Sequence, residues 1–266
     1  MSGDFNRQSK WGAALATMLM WPMVVAAQQP TLIECGYSSQ TYKLLLDQFA
    51  YTDPALSSDP ELGPLPQRLQ WNLSNNEKML ELENQRVPYQ AIWCRGRSPR
   101  DGSEFNSTVT DALNSSNVML EVWGTLDAKI AHGHVSDRVA KLGYTIIPVR
   151  FYESAGPAGL SGIYQVEYAG SQGQPGQLMV DLLGQAQELK AYWKVAVGIK
   201  AMKANDYDVA RGYLCQAAVE LRAVKRPDNA LTAYVQQSAA KVVDTARKDT
   251  AYHGSLKLVG ADQPCS

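Results

Sequence analysis

The chain has 266 residues, of which 45% are hydrophobic and 19% are charged. Its 25 Lys and Arg side chains nearly balance 26 Asp and Glu, and the formal net charge is −1. This balance argues against a nucleic-acid-binding protein, because such proteins carry a marked basic excess. The charge is divided unevenly: residues 28–175 have 11 basic and 16 acidic side chains (−5), and residues 176–266 have 12 and 9 (+3). Such a split predicts two domains with different surfaces.

Residues 1–27 have the pattern of a secretory signal peptide. Arg7 and Lys10 precede an apolar run that ends in small residues at Ala26 and Ala27. A basic start, a short apolar stretch and a small-residue cleavage site are typical of an exported precursor. We therefore expect cleavage after Ala27 and a periplasmic or secreted mature protein. An uncleaved membrane anchor is the alternative, because the run is close to the shortest length that spans a bilayer.

Four cysteines follow the leader, namely Cys35, Cys94, Cys215 and Cys265. An even number of cysteines in an exported protein favours disulfides. Three pairings are possible, and we predict Cys35–Cys94 and Cys215–Cys265, one in each domain. Free or buried thiols are the alternative. The sequence has no C-x-x-C motif, which disfavours a thiol-redox enzyme and a thiolate zinc site.

Residues 28–168 alternate between strand and helix patterns. Strands are predicted at 31–35, 89–94, 118–123, 144–152 and 163–168. Helices are predicted at 41–51, 65–86 and 104–113, the last capped by Asp101 or Ser103. The strand at 118–123 is nearly all apolar, which places it centrally in the sheet. Pro148 lies within a predicted strand and indicates a sheet edge or a bulge. This order predicts a mixed sheet packed with helices, an α/β or α+β domain.

Glycine and proline mark residues 169–176 as a linker, and residues 177–250 have a helical pattern throughout. An apolar stripe runs along the first helix. A turn at 205–208 separates it from a second helix at 209–224. Asp228 caps a third helix that ends near residue 247, and residues 251–266 form a tail.

The helical part resembles one tetratricopeptide-type hairpin. The resemblance rests on Gly198, the turn at 205–208, Ala210, Leu214 and Ala217. In that family, a small residue on the first helix meets small residues on the second, which implies that Gly198 faces Ala210 and Ala217. Family members bind partner proteins, so the resemblance implies an adaptor or scaffold with an all-α carboxy-terminal domain.

This resemblance covers about residues 193–225, occurs once and has departures from the family pattern. Trp193 is one place from the family's tryptophan, Ala201 replaces a tyrosine and Pro227 comes late. The element order of residues 28–168 is similar to that of the amino-terminal domain of the periplasmic Tol translocation β-propeller proteins.

A single helical hairpin cannot bury its apolar stripe alone. It must pack against its own first domain, a second copy or a partner. The positive charge of residues 176–266 favours an acidic partner. Candidate surface residues for partner binding are Trp193, Lys194, Lys200, Lys203 and Tyr207. The tryptophans after the leader suit either an interface or a core, and they are Trp71, Trp93, Trp123 and Trp193.

Arg95, Arg97 and Arg100 crowd the loop after the predicted strand at 89–94. Open α/β sheets bind ligands at the carboxyl ends of strands, and guanidinium groups suit a carboxylate or a phosphate. The loop is therefore a candidate anion site, with a solvated basic loop as the alternative. Glu121 is an acid inside an apolar strand, and we expect it to pair with an arginine such as Arg150.

His132 and His134 are weak candidates for metal ligands, because histidines two apart on an extended segment point the same way. A solvated polar loop is the alternative. The sequence has no nucleophile elbow, phosphate-binding loop or dinucleotide fingerprint. We predict no cofactor and no catalytic residue.

These observations favour an exported, non-enzymatic adaptor or scaffold of the cell envelope. It is expected to bind an envelope protein or itself, and to touch a membrane only through an uncleaved leader. Two alternatives stay open. One is a small-ligand or anion-binding protein that uses residues 95–100. The other is a hydrolase, because a pair of catalytic carboxylates leaves no local signature in a sequence.

Overall fold

A computed structural model of the chain describes residues 41–75, 89–94, 97–131, 134–152, 160–171, 186–224, 229–254 and 265. The leader and the predicted strand at 31–35 lie outside these ranges. The described residues form a mixed sheet followed by helices, which confirms the predicted two-part architecture. The predicted domain boundaries stay a prediction. Within the described ranges, no helix is both long and apolar enough to cross a membrane.

The strands are β1 (Tyr42–Asp47), β2 (Ala50–Tyr51), β3 (Tyr89–Cys94), β4 (Val118–Ala131), β5 (His134–Ile146) and β6 (Ile163–Ser171). The helices are α1 (Leu65–Asn75), α2 (Ser107–Ser115), α3 (Ile147–Tyr152), α4 (Ala186–Lys203), α5 (Tyr207–Ala223) and α6 (Asn229–Lys248). Asn106 caps α2, where Asp101 or Ser103 was predicted, and Asp101 caps a short 3-10 turn just before it.

The strand order across the sheet is β3-β1-β4-β5-β6. β1 pairs in parallel with β3 and with β4, whereas β5 is antiparallel to both β4 and β6. The short β2 continues the direction of β1 and pairs with Thr125 and Leu126 of β4. The parallel strands therefore bring the carboxyl ends of β1 and β3 to one edge of the sheet.

The predicted helix at 41–51 is wrong, because these residues form β1 and β2. Leu44, Leu45 and Leu46 are all buried, and strands pair with β1 on both sides. A strand covered on both faces is apolar along its whole length, so its spacing does not distinguish it from a buried helix. The predicted central position of residues 118–123 is confirmed, since β4 lies between β1 and β5.

The predicted strand at 144–152 is correct only as far as Ile146. Ile147 begins α3, and Pro148 lies in the first turn of that helix, where its missing N–H removes no helical hydrogen bond. β5 also begins earlier than predicted, at His134. It therefore forms a long antiparallel hairpin with β4.

One face of the sheet packs against α4. The rings of Tyr144 and Tyr164 contact that of Tyr192 on α4, with centroids 5.2 and 5.0 Å apart. The Tyr168 hydroxyl donates a hydrogen bond to the buried Glu188 at 3.4 Å. Aromatic and apolar contacts thus join the sheet to the helical part.

α4 is buried on nearly all sides. Every residue from Glu188 to Ala201 is buried except Lys190 and Lys200. The sheet covers one side of the helix, and α5 packs closely on another. A Cβ at Gly198 would lie 2.7 Å from Cγ of Leu214. The close approach predicted at Gly198 is present, but its nearest neighbour is Leu214, not Ala210 or Ala217.

The predicted disulfide between Cys215 and Cys265 is present, with the two Cα atoms 4.9 Å apart. It ties the end of the chain to α5. Cys94 is also disulfide-bonded, while its predicted partner Cys35 lies outside the described residues. Disulfides of this kind are typical of proteins in an oxidising compartment.

We expect Gly143→Ala to destabilise the fold, because the Trp123 ring lies directly over Gly143. A Cβ at this position would lie 2.2 Å from Cε2 of that ring. Trp123 is held there by a hydrogen bond from Nε1 to the Thr145 hydroxyl at 2.9 Å, so the ring cannot move freely. Urea unfolding should show a loss of about 1–3 kcal/mol, the usual cost of overpacking.

Gln165→Ala is the matched control, since Gln165 is exposed and lies opposite Gly143 in the β5–β6 register. We expect this control to change the free energy of unfolding by less than about 0.5 kcal/mol. Equal stability of the two variants would show that the Trp123 ring does not occupy this position.

Candidate functional site

Two central strands each place a carboxylate on the same face of the sheet. Asp47 is the last residue of β1, and Glu121 of β4 pairs in register with Leu45. Side chains alternate along a strand, so Leu45, Asp47 and Glu121 share the face opposite α4. Both carboxyl groups are fully buried. Burial of a carboxylate is costly unless a partner compensates for the lost water.

Arg97 supplies the compensating cation. Its Nη2 lies 2.9 Å from Oε1 of Glu121, and its Nε lies 3.6 Å from Oδ1 of Asp47. The side chain is only 13% exposed. The Arg97 carbonyl accepts a hydrogen bond of 2.9 Å from the amide of Gln48, directly after Asp47. The main chain therefore fixes the guanidinium next to both acids.

Residues 97–115, which we call the cover, lie over these charges. Phe105 of the cover is fully buried, and its ring centroid lies 5.6 Å from that of Trp123 in β4. The guanidinium carbon of Arg97 lies 5.7 Å from the Phe105 centroid, close enough for a cation–π interaction. Leu113 of α2 completes the apolar packing. The ion cluster is thus enclosed between the sheet and the cover.

Glu121 pairs with an arginine as expected, but this arginine is Arg97 and not Arg150. Arg150 instead donates hydrogen bonds to the carbonyl oxygens of Phe105 at 2.7 Å and Ser161 at 3.3 Å. It therefore fastens the cover to the start of β6 from the outside. Glu121 lies in the central strand β4, and the residue of the cover that contacts it there is Arg97.

Burial raises the pKa of Asp47 well above its usual range, and the charge of Glu121 raises it further. Burial also raises the pKa of Glu121, but a hydrogen bond from Asp47 and the charge of Arg97 oppose this effect. Glu104, an exposed acid on the cover, raises both pKa values. The pKa of Asp47 is therefore raised more strongly than that of Glu121, which lies closer to the Arg97 cation.

Burial distinguishes these two acids from a glycosidase carboxylate pair, which must reach the scissile bond. Those enzymes hold their two carboxyl groups about 5 Å or more apart, with the scissile bond between them. Asp47 and Glu121 are both fully buried, and Phe105, which lies beside Arg97, is fully buried as well. With the cover in place, neither carboxyl group is exposed to solvent.

Sequence reasoning missed Asp47, because residues 41–51 were predicted to be helical. The useful signal was an acid directly after the apolar run Leu44–Leu46. A carboxylate at the end of a buried parallel strand is well placed to meet groups from neighbouring strands.

The arginines of the predicted anion loop lie in different environments. Arg97 points into the cluster, where two carboxylates already surround its charge. Arg100 is exposed, and its backbone amide donates to Glu104 at 2.6 Å. Arg95 lies outside the described residues. The structure therefore does not bring Arg97 and Arg100 together around a common space.

The predicted partner-binding residues of the helical part are engaged within the chain. Trp193, Lys194 and Tyr207 are buried, so their predicted surface position is wrong. Lys194 donates 2.7 Å hydrogen bonds to Gln216 and Glu220 of α5.

The other two predicted lysines are more accessible but also have contacts. Lys200 donates hydrogen bonds to the carbonyl and the side chain of Asn114 at 3.1 and 3.2 Å. Lys203 is exposed, and its ammonium lies 5.2 Å from the centroid of the Tyr152 ring. Both lysines therefore connect α4 to the sheet domain.

The metal site proposed at His132 and His134 stays a prediction. His132 lies outside the described residues, and the backbone of His134 begins β5. No group of three or more His, Cys, Asp or Glu suited to a metal ion occurs in the part of the chain that the structure describes.

Trp71 on α1 is the most exposed large hydrophobic side chain among the described residues. It is 67% exposed, whereas Trp123 and Trp193 are core residues. Leu65 and Leu69 anchor the inner side of α1. Arg68, one turn before Trp71, is also exposed.

The segment before α1 is fastened to the long hairpin. Arg138 of β5 donates two parallel hydrogen bonds of 2.9 Å to the carboxylate of Asp59. Asp59 also accepts hydrogen bonds from the amides of Glu61 and Leu62. Bidentate pairs of this type are strong and directional. These hydrogen bonds hold the segment that leads into α1, the helix that contains Trp71.

We expect Arg97→Met to destabilise the protein strongly, because it keeps the apolar stem but removes the cation beside two buried acids. Loss of one partner of a buried ion pair costs about 3–5 kcal/mol. Urea unfolding at pH 7 measures the change. Arg100→Met in the same loop is the control, and its effect should stay below about 0.5 kcal/mol because Arg100 is exposed. Equal stability of the two variants would contradict the cluster.

No known protein-family model matches this chain, and no curated protein is significantly similar to it in sequence. Two features stand out: the enclosed cluster of Asp47, Glu121 and Arg97, and the exposed Trp71 on a firmly anchored helix.

Proposed function

We propose that this protein is an exported, non-enzymatic adaptor that binds another protein through the outer surface of α1. The observation that carries the proposal is the 67% exposure of Trp71. Tryptophan and arginine are enriched among the residues that contribute most to binding at protein interfaces. We define the α1 surface by Gln67, Arg68 and Trp71, which are all exposed.

The geometry of α1 suits this role. Residues three and four apart lie on the same side of a helix, so Gln67, Arg68 and Trp71 form one continuous outer surface. On the inner side, the buried Leu65 and Leu69 hold the helix against the sheet domain. A rigid helix that presents an aromatic ring and a guanidinium loses little conformational entropy on binding.

Export is the second part of the proposal. It is supported by the signal-peptide pattern of residues 1–27 and by the Cys215–Cys265 disulfide, which is characteristic of oxidising compartments. An envelope protein, or a second copy of this chain, is the proposed partner.

In this proposal, the helical part packs against the sheet domain and does not form the docking surface. A tetratricopeptide-like arrangement of α4 and α5 is part of the proposal, supported by the close approach at Gly198. The sequence left open what covers the apolar stripe of this hairpin. α4 packs against the sheet of its own chain, so this stripe requires no partner. That is why the proposed surface lies on α1.

We expect Trp71→Ala to abolish or strongly weaken capture of the partner without unfolding the protein. The tagged protein is used to retain proteins from an extract of the cell envelope of the source organism, followed by mass spectrometry. A hot-spot tryptophan contributes at least about 2 kcal/mol to binding, which corresponds to roughly a thirtyfold loss of affinity. Light scattering of the purified protein tests self-association in the same variants.

Val219→Ala is the matched control, because Val219 is an exposed apolar side chain on α5, far along the chain from α1. This variant should retain the same proteins as the wild type. Retention of an identical set by Trp71→Ala, with unchanged oligomeric state, would contradict the α1 surface. Loss of the partner in both variants would place the contact elsewhere.

A further inference from the structure

The cluster of Asp47, Glu121 and Arg97 contains two fully buried acids but one cation. We propose that Asp47 and Glu121 share one proton in the folded protein. Together with Arg97, this proton holds the cover, residues 97–115, on the sheet. Loss of the proton at alkaline pH loosens the cover. The fold thereby contains a pH-sensitive latch that is independent of the α1 surface.

Hydrogen bonding gives the first argument. Among the described residues, none of the four carboxylate oxygens of Asp47 and Glu121 accepts a well-aligned hydrogen bond from a donor. Buried oxygens without donors are rare, because each has lost its water. A proton placed between the two carboxyl groups provides the missing donor. It turns two repelling acids into one hydrogen-bonded pair.

Charge gives the second argument. β1 contributes Asp47, β4 contributes Glu121, and the cover contributes Arg97 and the exposed Glu104. The buried Lys43 lies at the other end of β1, where its ammonium donates to the carbonyls of Thr41 and Ser116. Among the described residues of β3 and β5, no charged side chain faces Asp47 and Glu121. In β5, the Thr145 hydroxyl accepts a hydrogen bond from Trp123, and Cys94 at the end of β3 is in a disulfide. With both acids ionised, this enclosed space would hold a net negative charge.

Distance decides which acid holds the proton. The guanidinium lies 2.9 Å from Glu121 but 3.6 Å from Asp47. The closer cation stabilises an ionised Glu121, so the proton stays on Asp47 and is donated to Glu121. Burial is the main cause of the raised pKa of Asp47, and a raised pKa favours the protonated form of this carboxyl group.

The direction of the pH effect follows from proton counting. Above the ordinary pKa of an aspartate, the unfolded chain has released this proton, while the folded protein still holds it. Folding then takes up a proton, so stability falls as the pH rises towards the raised pKa of Asp47. Within that window, one proton changes the folding equilibrium constant by about tenfold per pH unit.

Asp47→Asn tests the proposal in the whole protein. The asparagine amide donates to Glu121 as the protonated carboxyl does, but it does not titrate. We expect similar stability of the variant and the wild type near pH 5. As the pH rises, the folding equilibrium constant of the wild type should fall relative to the variant by about tenfold per unit. Asp111→Asn on the exposed side of α2 is the control and should follow the wild type.

Two further measurements keep the test decisive. At pH 7, the infrared spectrum of the wild type should contain the carbonyl band of a protonated carboxyl group, and Asp47→Asn should lack it. At pH 9, hydrogen exchange of the α2 amides should be faster in the wild type than in Asp47→Asn, and equal in the two at pH 5. Absence of the band from the wild type, parallel pH profiles of stability, or an Asp47→Asn protein that does not fold would overturn the proposal.

Discussion

The central constraint in this structure is that β1 and β4 each bury an acid while a single guanidinium serves both. Arg97 reaches Glu121 at 2.9 Å and Asp47 at 3.6 Å, and it arrives there because its own carbonyl is bonded to Gln48 at the end of β1. The charge requirement and the backbone pairing therefore act on the same segment. The cover must lie on the sheet for the acids to be neutralised, and the acids in turn hold the cover. Phe105 and Trp123 close the remaining gap with apolar contacts.

The other face of the sheet depends on a different kind of interaction. α4 is buried almost all round, between a tyrosine-rich face of the sheet and the helix α5. Gly198 allows α5 to approach closely, because any side chain there would meet Leu214. A helix in this position connects the two parts of the chain into one core. This arrangement explains why the lysines and the tryptophan of α4, which look like surface groups in the sequence, make contacts within the chain.

The acids and the exposed tryptophan suggest different roles for the two sides of the molecule. The enclosed cluster responds to protons and controls how firmly the cover is held. Trp71 lies on α1 and is 67% exposed, and the Arg138–Asp59 pair holds the segment that precedes this helix. The proposed binding surface on α1 and the proposed pH-sensitive latch therefore lie on separate elements of the fold.

Local patterns in the sequence were sufficient to predict the central strand at 118–123, the three carboxy-terminal helices and the turn at Asp206. Continuous apolar runs, helical spacing and capping residues carry these predictions. The number of cysteines favoured disulfides but left three pairings possible, and the structure contains Cys215–Cys265. Tertiary structure alone decided that residues 42–47 form a strand, because an apolar run is compatible with helix and strand until neighbouring strands pair with it. It also decided that Glu121 meets Arg97 and not Arg150. Parallel pairing and the path of the cover bring together residues 24 positions apart in the chain, and no local pattern records such a contact.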